Sequence, residues 1–563
     1  MAEKIKKILP FEPNAACLFM AAALSVVGLF NEYLACGASF LFCVYLFITS
    51  HKSGTLIFRL NLTSAAVLAI TAFYFLSILW AVDSGMAFTG FLKILPLPLF
   101  MLIVMQDKEK SLSCFSAIPT VSVIMTIVSG IVMIFSPRNE FFAPAGRLSG
   151  FLQYSNTFAL VLLVSIIIII SKEKHSAVDY FYLPVLIGGI ILSGSRTVFI
   201  LTIIAVPVLV FISRSKKLKI LLGSITAVSV AVAVIYVLVT GNFDSIGRFL
   251  SVSLTESTFV GRLLYYHDAL PLVLKNPFGT GYLGFYYLQQ SIQTGLYSVR
   301  YVHNDFLQLA LDIGWIPTLM LIAAVIRAFF KKDIPAWRRL MIFIMSAHCF
   351  FDIDLQFTAV FMIYVIALGV DDGKEIRIKS PLPIVKTALA VLCTTSLYML
   401  VPLAAAFTDN LTLSYTLYPW NTDVNTVLMV NEENPSEMDK SADRIIEQNE
   451  YITVAYSAKA AYAYSQGNFT DMIKYKELAI ENAPLIGEEY EDYISMLLIG
   501  EELYLQAGDT ASAEFCRKKI DAVINKFNSI EGRLSKLGKM IDDRPKTEFS
   551  QELTIYLKER GFI

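Results

Sequence analysis

The chain has 563 residues, of which 56% are hydrophobic and only 17% charged, with a formal net charge of −1. A soluble protein carries charge at nearer a quarter of its residues, so a water-soluble fold is excluded for most of the length. The balanced charge also argues against a nucleic-acid partner, which would call for a basic surface.

The apolar excess falls in runs long enough to cross a hydrocarbon core of about 30 Å. Thirteen candidate spans follow one another, at about 15–30, 33–49, 62–80, 88–105, 115–135, 151–170, 180–194, 197–213, 218–240, 304–326, 338–351, 355–370 and 383–407. The expected fold is therefore all-α, a polytopic membrane protein of about 12–13 transmembrane helices. The first apolar segment lacks a small-residue cleavage site and is expected to stay as a span.

Basic residues set the orientation. The N-terminal "EKIKK" and the alternate connections "HKSGTLIFR", "QDKEK", "SKEKH", "SRSKKLK", "RAFFKKDIPAWRR" and "DDGKEIRIK" are all basic-rich. The opposite set, "NEY", "AVDSG", "SPRNEFFAPAGR", "SGSR" and "DID", holds three arginines in total. This places the N-terminus in the cytoplasm and the C-terminal portion outside the plasma membrane. Seven cysteines are scattered without a C-x-x-C pair, so neither zinc nor a disulfide framework is expected, and Cys516 reads as a buried thiol.

The polar residues that could carry chemistry gather on the outer set. Arg147 precedes the sixth span, with Gln153 and Asn156 where that span begins. Ser195 and Arg196 lie in the short turn between the seventh and eighth spans. A polar insertion, about 241–303, supplies Arg262, His267, Asp268 and a glycine-rich turn at Gly279, Gly281 and Gly284. The stretch "YSVRYVHNDFLQLALDIG" then places Arg300, His303, Asn304 and Asp305 where an apolar helix starts. Last, "HCFFDIDLQ" puts His348 and Asp352 four residues apart, a spacing that predicts one helix face.

Arginine suits phosphate, because its planar fork makes permanently charged bidentate hydrogen bonds. Histidine suits general-base work, since it titrates near the operating pH. An anionic, lipid-borne ligand reached from the outer leaflet fits this pairing. Blander roles remain open for each residue. An arginine at a span boundary also reaches headgroups, and the His303 stretch also reads as a helix start with Asn304 or Asp305 as N-cap. His267 and Asp268 suit an ordinary interfacial helix, and the paired aspartates of "DID" are by themselves a weak metal signal.

The tail, 408–563, is polar and helical by period. Gly467 and Gly508 mark turns between helices and Pro484 a stop. These units resemble tetratricopeptide repeats in Gly467, Phe469, Tyr475, Ala479 and Pro484, although the interval from Gly467 to Gly508 is 41 residues rather than the usual ~34. Such a tail either offers a surface to a protein partner or caps the core. The domain plan is thus a core at 1–407 containing the 241–303 insertion, followed by the outer helical domain at 408–563.

Several short motifs occur in a telling order. They are Arg147-Leu148-Ser149-Gly150-Phe151, Ser193-Gly194-Ser195-Arg196-Thr197, Gly261-Arg262 leading to Asp268-Ala269, Asn276-Pro277-Phe278-Gly279-x-Gly281, His303-Asn304 with Leu307 and Ile313-Gly314, and His348-x3-Asp352-x-Asp354. The chain resembles the O-antigen ligase and O-antigen polymerase superfamily in these, over roughly residues 60–370. The resemblance implies a GT-C-like membrane glycosyltransferase, inverting and metal-independent, with no cofactor. It would move glycan from an undecaprenyl-diphosphate carrier to a glycan, lipid or protein acceptor, among membrane lipids, in cell-envelope polysaccharide biosynthesis. Carried over, Arg196 and Arg262 hold the diphosphate with Arg147 as a looser match, and His303 activates the acceptor. Asn304, Asp268, His348 and Asp352 support them. A transporter or flippase of lipid-linked sugars is the alternative, although transporters place polar groups near the midplane and carry internal repeats; a non-catalytic scaffold ranks below both.

Overall fold

The computed structural model describes residues 14–107, 113–136, 139–212, 257–379 and 383–563, with a few positions between 216 and 224. Most of the ninth expected span and the first part of the insertion lie outside the described residues. In chain order the α-helices are α1 (Ala15–Ser25), α2 (Glu32–Ser53), α3 (Leu62–Leu76), α4 (Ser84–Ile94), α5 (Pro96–Met105), α6 (Cys114–Phe135), α7 (Ser155–Ser171), α8 (Ala177–Ser193), α9 (Arg196–Ile212), α10 (Ser257–Lys275), α11 (Gly284–Ile292), α12 (Asp305–Ile313) and α13 (Trp315–Phe330). They continue with α14 (Ala336–Cys349), α15 (Thr358–Ala367), α16 (Pro383–Phe407), α17 (Leu411–Leu417), α18 (Thr422–Val430), α19 (Pro435–Gln448), α20 (Thr453–Ser465), α21 (Phe469–Asn482), α22 (Gly487–Gln506), α23 (Thr510–Asn528) and α24 (Gln551–Glu559). Two short strands, β1 (Thr55–Leu60) and β2 (Lys374–Lys379), pair antiparallel. Among the described residues the fold is all-α apart from this ribbon.

Among the described residues, five helical segments are long and apolar enough to cross a membrane: Glu32–Ser53, Leu62–Leu79, Ser84–Met105, Cys114–Phe135 and Pro383–Phe407. Other expected spans are interrupted. The first breaks after α1, where Gly28 holds φ +61. The tenth breaks at Gly314, whose φ of +82 separates α12 from α13. Hydropathy alone does not register a single backbone reversal that glycine permits.

The chain divides into two compact units. Unit 1 comprises Met1–Leu76, Thr89–Val252 and His303–Ala404. Within it α7 is buried on all sides from Ser155 to Ile170 apart from Asn156, and α15 is buried throughout. Helices apolar around their whole circumference belong in the middle of a bundle. By contrast α6 buries one face and leaves Ile124, Ile131, Ile134 and Phe135 at least half exposed, the pattern of a helix with one face to lipid.

The helices of unit 1 run between two chemically different ends. At one end Arg338 donates to the carbonyls of Ala367 and Ile366 and pairs with Asp371 at 3.2 Å. There Lys331 meets Asp372 at 3.0 Å, and Asn61 donates to the carbonyls of Gly369, Val370 and Asp372. Gln106 both donates to and accepts from the backbone of Ile57. Four of the basic connections therefore meet at this end. The starts of α7, α12 and α15 and the finish of α14 form the opposite end.

Unit 2 comprises Ser77–Phe88, Ser253–Val302 and Ala405–Ile563. Buried Asp83 is its first node, accepting from Met86 N, from Thr422 Oγ1 at 2.5 Å and from Asn449 Nδ2 at 3.2 Å. The tail forms helical hairpins, with Gly467 (φ +68) between α20 and α21 and Gly508 (φ +77) between α22 and α23. Their core gathers Met472, Ile480, Tyr490, Tyr493, Leu497 and Phe527, with Leu296 packed against it.

Lys476 is 1% exposed and reaches Glu489 at 2.8 Å, which also accepts from Ser457. Removing one partner of a buried pair strands the other. Lys476→Ala should therefore destabilise the tail by about 2–4 kcal/mol. Hydrogen exchange of α20–α22 in the full-length protein would read this, and the Lys476→Met/Glu489→Leu pair should recover most of the loss. Equal protection in Lys476→Ala and wild type would show the pair to be energetically idle.

Candidate functional site

The site end of unit 1 is built around Asp352, which is fully buried. It does not share a helix face with His348. Helix α14 stops at Cys349, and Asp352 lies in the link before the 3-10 turn Asp354–Gln356. The i, i+4 expectation fails because the helix ends between the two residues, so the carboxylate and the imidazole enter separate networks.

Asp352 accepts from the Tyr154 hydroxyl at 2.5 Å, from Asn156 Nδ2 at 2.7 Å and from Ile353 N at 3.0 Å. Its Oδ1 lies 3.6 Å from His303 Nδ1. Asn156 in turn accepts from Arg147 Nη2 at 2.7 Å, and Arg147 Nε donates to Ser193 O at 2.8 Å. One polar chain thus runs from the last carbonyl of α8 through Arg147, Asn156 and Asp352 to His303. Arg147 is engaged with the very turn that presents Arg196, the first residue of α9. A cation beside a helix C-terminus is also favoured by the partial negative charge there. Gly194, at φ +60, ends α8 and allows this tight reversal.

Two non-glycine residues flanking the network sit in the left-handed region, His303 at φ +53 and Gln153 at φ +59. That conformation costs about 1–2 kcal/mol for an L-residue, and such strain concentrates where side-chain placement matters. Asn304 is the N-cap of α12, its side chain accepting Leu307 N at 3.0 Å. The cap fixes where α12 starts, and His303 is the residue immediately before it.

His348 belongs to a second, fully buried cluster. Its Nδ1 lies 2.5 Å from Asp354 Oδ2, while Thr157 donates to Asp354 Oδ1 at 2.7 Å. Nearby, Asp305 accepts from Leu355 N at 3.0 Å. Among the described residues one group could offer three metal ligands, Asp305, Cys349 and Asp354, whose atoms lie within 4.8 Å of one another. Both Asp354 oxygens are already taken by His348 and Thr157, which suits a hydrogen-bonded plug better than a coordination shell.

Arg262 and Asp268 belong to unit 2, on α10. Asp268 is buried and accepts from Thr294 N at 2.8 Å, Thr294 Oγ1 at 2.7 Å and Tyr297 OH at 3.1 Å, with His267 Nδ1 at 2.9 Å. Burial and then the Asp268 charge hold the Tyr297 phenol well above its ordinary range, so it stays a neutral donor. Asp268 thereby pins the 294–297 loop to α10. His267 is exposed beside it.

Residues 181–323 match a family model described as O-antigen ligase. Through this segment the chain is similar to the O-antigen ligase and polymerase superfamily. No curated protein matches the chain. The O-antigen ligase segment holds Arg196, Arg262, Asp268, His303 and Asn304, whereas Arg147, His348 and Asp352 fall outside it. The match and the apolar helices support a multi-pass, glycosyltransferase-like membrane protein with a role in polysaccharide biosynthesis.

Sequence reasoning did not single out Tyr154 or Thr157, and it named Asp354 only within the His348-x3-Asp352-x-Asp354 motif. The available signal was their position, since polar residues at the very start of an otherwise apolar helix lie where the bundle opens to polar partners.

Proposed function

We propose that the chain transfers glycan from an undecaprenyl-diphosphate carrier to an acceptor hydroxyl at the outer face of the plasma membrane. The observation that carries this reading is the chain of contacts Arg147–Asn156–Asp352–His303, which ties the Arg196 turn to a histidine held at a helix start. His303, with Nδ1 turned toward Asp352, takes the acceptor proton at Nε2. The acceptor oxygen then bonds to the anomeric carbon with inversion as the carbon–phosphate oxygen bond breaks. The diphosphate leaves as an anion, and arginine stabilises the developing charge without a metal or an acid. Arg196 supplies that charge from unit 1, backed by Arg147 as a positioning group. Asn304 and the His348–Asp354 pair hold the frame around the base.

The side assignment rests on the basic end of unit 1 facing the cytoplasm. The domain plan follows: a membrane core, with the insertion and the repeat-like tail outside, where the tail meets an acceptor or an assembly partner.

Purified protein in lipid, given a lipid-diphosphate oligosaccharide and a chelator, tests the reading by product mass. A ladder marks a polymerase and a single addition a ligase. Activity that vanishes with chelator and returns with a divalent cation would remove the metal-free mechanism. Arg262→Gln should lower donor turnover about 10- to 100-fold, as loss of a charged hydrogen bond predicts, while acceptor binding persists. Unchanged turnover would take Arg262 out of the reaction.

A further inference from the structure

We infer that the β1–β2 ribbon is a membrane-surface element that binds anionic phospholipid headgroups. The register pairs Leu56 with Ile378, Phe58 with Ile376 and Leu60 with Lys374, so these side chains share one face. The other face carries Thr55, Ile57, Arg59, Glu375, Arg377 and Lys379. One face is thus almost wholly apolar and the other charged.

The protein covers only part of the apolar face. Leu56 is buried and Phe58 and Ile378 are half-buried, but Leu60 is 49% and Ile376 38% exposed. A two-stranded ribbon is marginal on its own in water; Gln106 anchors its Ile57 edge, and the exposed part of its apolar face calls for a hydrocarbon neighbour. Chain continuity supplies one. Only Gly54 and Asn61 separate β1 from Glu32–Ser53 and Leu62–Leu79, two segments able to cross a membrane. The ribbon therefore lies within a few residues of the hydrocarbon boundary, where the exposed apolar side chains reach acyl chains.

Charge selects the headgroup. On the ribbon and the helix ends beside it stand Lys52, Arg59, Lys374, Arg377, Lys379 and Lys386. Glu375 is the carboxylate among them and is shared by Arg59 and Arg377, each at 2.7 Å. Asp371 and Asp372 turn instead to Arg338 and Lys331. Lys386 and His51, from α16 and α2, lie 3.5 Å apart. This cationic surplus with an apolar underside matches an anionic lipid, which offers phosphate and acyl chain together; a soluble phosphate offers only the first.

Full-length protein in phosphatidylcholine vesicles, with and without phosphatidylglycerol, tests the assignment through spin-labelled lipids. Wild type should prefer phosphatidylglycerol over phosphatidylcholine, and Arg377→Gln/Lys379→Gln should lower that preference by roughly five-fold or more, the scale of a surface cation on anionic lipid. Both side chains are exposed, so folding is untouched, and Arg444→Gln/Lys518→Gln in the tail serves as control. A preference that survives the ribbon variant, or falls equally in the control, would overturn the headgroup assignment. A nitroxide on Leu60→Cys should collide with oxygen rather than with an aqueous nickel complex. The reverse would overturn the membrane-surface placement.

Discussion

Replacing His303 should lower glycan transfer by about 10²–10⁴-fold, the usual contribution of a positioned general base. The choice of replacement matters, because His303 holds φ +53. Alanine would add backbone strain to the loss of the imidazole, whereas asparagine tolerates the left-handed region. His303→Asn therefore isolates the chemistry and His303→Ala serves as its partner. Both variants keep Asn304 as the cap of α12, so the helix start should survive, which hydrogen exchange across Asp305–Ile313 would verify. The loss should appear in kcat, with donor binding retained, since the proton is removed only as the new bond forms. Transfer at the wild-type rate by His303→Asn would end the role assigned to this residue.

Asp352→Asn should produce a loss of comparable size by another route. The carboxylate receives Tyr154, Asn156 and the Ile353 amide, and its Oδ1 faces His303 Nδ1. An amide of the same shape turns one acceptor into a donor and removes the charge. It then opposes Asn156 Nδ2 or the Tyr154 hydroxyl, and it no longer favours one tautomer and orientation of the imidazole. Where a histidine base depends on a buried aspartate, that change lowers turnover by orders of magnitude with geometry nearly intact. Tyr154→Phe separates positioning from packing. It removes one of three donors to Asp352 and keeps the ring against Phe357, whose centroid lies 6.0 Å away. A modest fall in kcat with unchanged KM is expected. A fall confined to stability in both variants would make Asp352 a structural acid only.

Much of the architecture is legible from composition. Apolar runs announce the bundle, and basic residues at alternate connections announce which ends belong together. Because hydropathy is additive along a chain and charge at span ends follows one simple rule, both can be read locally. The turns at Gly467 and Gly508 are equally local, since a left-handed helix stop favours glycine. His303, Arg196 and Arg262 stand out because an ionisable group beside a long apolar run is rare and expensive.

The rest depended on contacts between distant residues. That β1 pairs with β2, some 320 positions apart, is invisible to periodicity, since two short basic connections read only as connections. Nor could spacing reveal that Asp352 leaves His348 for Tyr154 and Asn156, because the outcome turns on a helix stopping at Cys349. Sequence alone determined that this is a helical membrane protein with arginines and a histidine in reserve. Tertiary structure decided which carboxylate faces that histidine, because hydrogen-bond partners are set by where helices end and pack, and neither is a property of neighbouring residues.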